Sequence, residues 1–147
     1  MSKTIVINSG YFNPIHPGHI ECMQLSKQLG DELWVIVNND KQAKAKRGVK
    51  SFQDQDFRMA IVVALKFVNR VFLCTDKDSS VCQSLIELTK TARELYGNDV
   101  RIIFAKGGDR NTGEVPEART CIDNNITMVD GLGEKTHNSS DFINKSI

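Results

Sequence analysis

The chain opens with a continuous apolar triplet, Ile5, Val6 and Ile7, inside residues 4–8. A short unbroken apolar run bounded by polar residues is what a strand buried on both faces of a parallel sheet requires. The same signature returns at 33–37 (Leu33, Trp34, Val35, Ile36, Val37), and weaker versions stand at 70–74, 100–105 and 126–129. Between these runs the period changes. Ile20, Met23, Leu25 and Leu29 follow Pro17 and stop at Gly30. Phe57, Ile61, Leu65 and Val68 recur at helical spacing, and Leu85, Leu88, Ala92 and Leu95 mark 81–96, ended by Gly97. These spacings predict amphipathic helices, with Pro at a helix start and Gly past its end as boundary marks. A weaker helix is expected near 114–121 and a terminal one from Ser139, whereas the basic segment 41–50 reads as a loop or a short mobile helix outside the core.

Strands and helices therefore take turns along the whole chain. Alternation with apolar strands predicts an α/β fold: a Rossmann-like, doubly wound parallel sheet of about five strands with helices on both faces. In such sheets ligands bind beyond the carboxyl ends of the strands. The 147 residues suffice for one domain with its own core, and neither an internal repeat nor a linker interrupts them.

Composition narrows the function classes. A chain with 40% hydrophobic and 25% charged residues resembles ordinary soluble domains, not disordered or membrane proteins. A net charge of +1 provides no general attraction for nucleic acid or for an anionic membrane, so any anion site must be built locally. Cys22, Cys74, Cys82 and Cys121 lack C-x-x-C spacing, which favours a reducing compartment over a disulfide scaffold. With neither a secretory h-region nor a membrane-length apolar segment, the expected location is the cytoplasm.

The chemistry concentrates in Gly10-Tyr11-Phe12-Asn13-Pro14-Ile15-His16-Pro17-Gly18-His19, between the first strand and the first helix. This fold binds phosphates there. Gly10 permits close backbone approach, and Gly18 keeps a side chain out of the first helical turn, whose N–H groups and dipole attract anions. Two histidines three positions apart could both donate hydrogen bonds to one anion. Phosphoryl-group transfer depends on such positioning and charge stabilisation more than on covalent chemistry. An isolated H-x-x-H pair is usually an ordinary loop and cap feature, and only its place between strand and helix changes that. A protein-held metal is not expected, since the loop offers no third ligand and no H-E-x-x-H pattern.

Taken together, Gly10, Phe12, Asn13, Pro14 and His16-Pro17-Gly18-His19 resemble the signature of the cytidylyltransferase-like nucleotidyltransferases, with their H-x-G-H motif. Leu29-Gly30-Asp31-Glu32-Leu33, Val37-Asn38-Asn39-Asp40 and Phe57-Arg58-Met59 are similar to passages of heptose 1-phosphate adenylyltransferase and glycerol-3-phosphate cytidylyltransferase. Lys106-Gly107-Gly108-Asp109 is similar to the K-G-G-D stretch of the heptose enzyme. The family's later R-T-x-G-I-S-[ST] motif is matched less closely, by Lys135-Thr136-His137-Asn138-Ser139-Ser140, where Lys135 is offset by one from the arginine.

The resemblance implies an in-line transfer of a nucleoside monophosphate from an NTP to a phosphorylated small molecule, with Mg²⁺ carried on the triphosphate. It implies that His16 and His19 stabilise the attacked phosphate and departing pyrophosphate, and that Lys46 neutralises the incoming phosphate. Gly10, Tyr11, Phe12, Asn13, Gly18, Lys106, Gly107, Gly108, Asp109, Ser139 and Ser140 are implied to hold the nucleotide. Asn38, Asp40 and Arg58 are implied to join Lys46 on the acceptor side. ATP with a sugar phosphate is favoured, followed by CTP with glycerol 3-phosphate; a non-catalytic nucleotide-binding module is the rival of another class. Relatives commonly form dimers, so a homodimer is expected. By residue type alone, Lys41, Lys44, Lys46, Arg47 and Lys50 could equally be a solvated basic segment.

Overall fold

A computed structural model of the chain describes residues 2–50, 52–107 and 115–133. Five strands, β1 (Thr4–Gly10), β2 (Glu32–Val37), β3 (Arg70–Leu73), β4 (Arg101–Gly107) and β5 (Thr127–Leu132), form one sheet in the order β3-β2-β1-β4-β5. Every pairing is parallel. The order runs outward from β1 in both directions, so the gap between the loops leaving β1 and β4 is the topological switch point where such sheets place ligands.

The helices are α1 (Pro17–Lys27), α2 (Asp40–Arg47), α3 (Gln55–Val63), α4 (Cys82–Tyr96) and α5 (Pro116–Asp123). Strand side chains alternate between the two faces of the sheet. Ile5, Ile7, Trp34, Ile36, Ile102 and Phe104 pack with Leu85, Leu88 and Ala92 of α4 and Cys121 of α5. On the other face, Val6, Leu33, Val35, Val37, Ile103 and Ala105 meet Met23 of α1 and Val62 of α3. Both faces of β1 and β2 are thus sealed, which is why their sequences are apolar without interruption.

The segment expected as a loop or short mobile helix is α2, and it is anchored. Asn39 caps it by accepting from the Gln42 N–H, the Gln42 side chain accepts from the Asn39 N–H, and Gly48 closes it at φ +76°. Gln42 and Ala43 are buried. The third helix is shorter than its apolar repeat: after Val63 the backbone turns, and Leu65 and Val68 pack on the α1/α3 side of the sheet. The expected terminal helix from Ser139 lies outside the described residues.

Candidate active site

The site begins where β1 ends. Phe12 has φ +53°, which turns the chain so sharply that its ring folds back over Gly10. A Cβ on Gly10 would stand 2.8 Å from the ring, so the glycine is required by close approach. Phe12 is buried, and its ring meets His19 edge-on at 5.1 Å.

His16 is the N-cap of α1, extended at φ −143° and ψ 170°, with Pro17 opening the helix. Its Nδ1 accepts the Gly18 N–H at 3.1 Å, while the Nδ1 of His19 accepts the His16 N–H at 3.1 Å. This is a capping box in which both partners are histidines. An imidazole nitrogen that accepts a hydrogen bond carries no proton, so each ring holds its proton on Nε2. The rings stack with centroids 3.8 Å apart, so the two imidazoles form one unit at the start of α1. Burial, and secondly the neighbouring His16, lower the pKa of His19 to about 4, so it is neutral near pH 7.

One expectation changes in detail. Pro17 has no N–H, the Gly18 N–H is taken by His16, and the His19 N–H reaches the His16 carbonyl at 3.0 Å. The first N–H groups of α1 are therefore satisfied within the capping box and are not the vacant backbone donors expected from the sequence. The helix dipole still favours negative charge there.

Arg58 does not stand at the mouth of the site. Its side chain is fully buried, and each of its three guanidinium nitrogens is engaged. Nη1 donates to the carbonyls of Tyr11 and Asn38 at 2.7 Å each, Nη2 to Asp40 Oδ1 at 2.9 Å, and Nε to the Gln53 carbonyl at 3.0 Å. The residue joins the β1–α1 loop to the β2–α2 turn, an organising role in place of the expected reach to a substrate phosphate. Asn38 is likewise inside the scaffold, donating to Gln42 Oε1 at 3.0 Å. Asn13, whose peptide bond to Pro14 is cis, is buried and accepts the Gln53 N–H at 3.2 Å.

Lys46 lies on the exposed end of α2, its Nζ 4.5 Å from the centroid of the Tyr11 ring. The structure thus brings the expected lysine onto the expected loop. Burial, first, and the Cys74 thiol, second, raise the pKa of Tyr11, keeping its hydroxyl protonated. Across the switch point Lys106 and Gly107 end β4, and a Cβ on Gly107 would lie 3.2 Å from Cys22 Sγ. Gly108, Asp109, Lys135, Ser139 and Ser140 lie outside the described residues. Among the described residues no three His, Cys, Asp or Glu side chains converge to hold a metal.

Residue type alone did not point to Gln42, Gln53 or Gln55. Gln42 Nε2 donates to the carbonyls of Asp78 at 2.8 Å and Ser80 at 3.0 Å, tying α2 to the approach to α4. Gln53 bridges Asn13 and Arg58, and Gln55 Oε1 accepts the Asp40 N–H at 2.9 Å. Only Gln42 had a legible signal, the Asn39-x-x-Gln42 capping pattern.

Comparison with known proteins agrees with this architecture. Bifunctional protein HldE of Actinobacillus succinogenes is 30% identical over 114 residues, 77% of this chain but 21% of its own length. FAD synthase of Thermococcus sibiricus is 37% identical over 71 residues, 48% of each chain. The chain thus spans about a fifth to a half of the length of these curated relatives. A lipopolysaccharide core biosynthesis protein from Thermoplasma volcanium superposes with a TM-score of 0.67 at 27% identity, covering 88% of this chain and 96% of the other. A putative nicotinate-nucleotide adenylyltransferase from Vibrio parahaemolyticus shares the fold, with a TM-score of 0.59 at 20% identity over 97% of this chain and 79% of the other. Residues 7–130 match the family model described as cytidylyltransferase-like, and with the paired histidines in place the chain belongs to the cytidylyltransferase-like family.

Proposed function

We propose that this chain transfers a nucleoside monophosphate from an NTP to the phosphate of a small molecule, releasing pyrophosphate. The observation that carries the reading is the pair of stacked imidazoles in the loop beyond the carboxyl end of β1, each with Nδ1 engaged by a backbone N–H. A phosphate oxygen of the acceptor attacks the α-phosphorus, the bond from that phosphorus to the oxygen bridging to the β-phosphorus breaks, and pyrophosphate leaves with its electron pair. No covalent enzyme intermediate is needed. The imidazole donors face charge that accumulates on the phosphorus oxygens, where fixed donors contribute most. Lys46 neutralises the incoming phosphate from the other side of the loop.

Mg²⁺ enters on the triphosphate as part of the substrate, the usual mode for a cation that keeps much of its water. A bifunctional NMN adenylyltransferase/ADP ribose pyrophosphatase from Francisella tularensis with the same fold was crystallised with AMP and a manganese ion. ATP with a sugar phosphate is the favoured pair, supported by the similarity around Lys106 and Gly107 and by the HldE relative. CTP with glycerol 3-phosphate is the alternative. Residues 1–147 act in this reading as one transferase domain, with Gly108, Asp109, Ser139 and Ser140 on the nucleotide side.

The test is pyrophosphate release by purified protein with Mg²⁺, crossing ATP and CTP against heptose 1-phosphate, glycerol 3-phosphate and phosphocholine, with His16→Ala as control. Release with one pair, abolished in the variant, is the expected result. Nucleotide binding without release from any pair would overturn the reading in favour of a non-catalytic nucleotide-binding module.

A further inference from the structure

Helix α2 carries Lys46 but has little of its own to keep it in place. Eight residues are too few for a helix to be stable in water without tertiary support. Only Gln42 and Ala43 of the eight are buried, so α2 lacks the apolar stripe by which a helix usually docks. Lys41 and Lys44, and Lys44 and Arg47, stand three positions apart on the helix, where like charges repel.

Polar bonds supply the anchor instead, and most of them converge on one side chain. Gln42 is 3% exposed, and both ends of its carboxamide are used. Oε1 accepts from Asn38 Nδ2 and from the Asn39 N–H, at 3.0 Å each. Nε2 donates to the Asp78 carbonyl at 2.8 Å and the Ser80 carbonyl at 3.0 Å, with Cys74 Sγ a longer neighbour at 3.3 Å. A carboxamide has two N–H donors, so the two carbonyls engage both. The first end serves the cap of α2; the second reaches out of the helix to the loop between β3 and α4.

That loop is firmly built. Val81, the N-cap residue of α4, makes no side-chain cap, and carboxylates from elsewhere take over. Buried Asp76 accepts the Gln83 N–H at 2.7 Å and the Ser84 N–H at 2.9 Å, and Glu117 of α5 accepts the Val81 N–H at 3.0 Å. Asp78 accepts both the N–H and the hydroxyl of Ser80, at 2.9 and 2.6 Å. Helix α4 in turn packs on the sheet through Leu85, Leu88 and Ala92. Gln42 therefore fastens a weakly held helix to a strongly held one.

Lys46 follows Gln42 by four residues, one turn further and on the same face, about 6 Å along the axis. Its Nζ stands 4.5 Å from the centroid of the Tyr11 ring. We propose that Gln42 is a positioning residue: by holding α2 to the β3–α4 loop, it sets Lys46 over the β1–α1 loop, where the incoming phosphate is neutralised. The inference rests on the transferase reading for the role of Lys46, but it is tested without turnover.

Wild type, Gln42→Met, Lys46→Met and the double variant are compared as full chains. Methionine keeps the length of the side chain and removes its amide donors and carbonyl acceptor. Amide hydrogen exchange across 40–47 becomes faster by about tenfold or more in Gln42→Met, while β1, β2 and α4 keep wild-type protection. Inorganic phosphate is titrated calorimetrically into each protein saturated with a non-hydrolysable ATP analogue. Its affinity falls about tenfold with Lys46→Met and about fivefold with Gln42→Met. The double variant stays within about twofold of Lys46→Met, because a residue that acts through Lys46 then has nothing left to position. Gln42→Asn, whose carboxamide is one methylene too short to reach the loop, behaves as Gln42→Met does and carries the test if the latter does not fold.

Unchanged exchange across 40–47 in a folded Gln42 variant would overturn the proposal. So would phosphate affinity that falls in Lys46→Met but not in the Gln42 variant, or a double variant that loses the product of the two single effects. Equal phosphate affinity in wild type and Lys46→Met would instead sink the acceptor-side reading of Lys46, and the exchange data would still decide whether Gln42 holds α2.

Discussion

His16 and His19 lie face to face with ring centroids 3.8 Å apart, each accepting a backbone N–H on Nδ1. A proton on His19 Nδ1 would break the bond to the His16 N–H, and burial already disfavours the charged ring. Its pKa falls from 6.5 to about 4. Between those values the unfolded chain binds more protons than the folded one, so stability rises with pH across the interval. Acidification from about pH 6.5 to about pH 4 therefore removes stability from this source, on the order of 2–3 kcal/mol. Urea unfolding at pH 7.5 and pH 4.5 tests it: the wild-type midpoint falls further than that of His19→Gln, and equal falls in the two proteins would refute the assignment.

Capping and catalysis by His16 can be separated. Asparagine is a good N-cap whose side-chain oxygen can accept the Gly18 N–H, but it places no donor where Nε2 stands. His16→Asn should keep its Tm within a few degrees while kcat falls by roughly 10²–10³, the usual loss on removing one donor to a developing oxyanion. His16→Ala loses both, with about 1 kcal/mol of stability added to the same kinetic defect. Equal activity of wild type and His16→Asn would place the chemistry elsewhere.

Gly10→Ala drives a methyl group into the Phe12 ring, 2.8 Å from the new Cβ. The ring must move, and with it the edge contact that seats His19. Overpacking of this kind costs about 1–3 kcal/mol. Because the clash sits against the histidine loop, the variant is expected to lose at least tenfold in kcat/KM while its far-ultraviolet circular dichroism remains native. A fully active Gly10→Ala would show that the Phe12–His19 contact is dispensable.

The strands were legible because β1 and β2 are buried on both faces, so Ile5 to Ile7 and Leu33 to Val37 are apolar at every position. The histidine loop was legible because its residue types recur in a family pattern at the correct place between strand and helix. Strand order was not, since the register of β1 with both β2 and β4 depends on contacts far apart in sequence. Nor was the role of Arg58. An arginine in a helix pattern reads as a surface cation, and only the fold converges the carbonyls of Tyr11, Asn38 and Gln53 upon it. The α2 segment shows the opposite error: its four cations obscured an Asn39–Gln42 capping box that the sequence already contained.

Arg58 should behave as a structural residue. Arg58→Met removes the donors to three backbone carbonyls and leaves Asp40 without its cation. Asp40 is partly exposed and can be solvated, so the main cost is the backbone carbonyls left without a donor, about 1–3 kcal/mol for each that stays buried. Arg58→Lys recovers only part, because one ammonium cannot replace a guanidinium fork that serves four acceptors. Chemical denaturation should rank wild type above Arg58→Lys above Arg58→Met. A Tm unchanged in Arg58→Met would contradict the burial of this side chain.

Lys46 and Tyr11 form the last testable unit. The ammonium lies over the ring, 4.5 Å from its centroid, and an exposed cation–π contact contributes about 0.5–1 kcal/mol. Its greater importance is positional, since the contact holds the end of α2 over the β1–α1 loop. Tyr11→Phe retains the ring and should leave the acceptor KM within about twofold, whereas Tyr11→Leu removes the π face and should raise it several-fold. Lys46→Met deletes the charge itself, so the acceptor KM should rise by roughly tenfold or more, as for the loss of a charge-assisted phosphate contact. Exposure of Lys46 predicts no change in Tm beyond a few degrees. Raised salt provides the cross-check: the wild-type acceptor KM climbs with ionic strength as the attraction is screened, and that of Lys46→Met climbs less. Identical salt profiles in the two proteins would remove Lys46 from the phosphate's path.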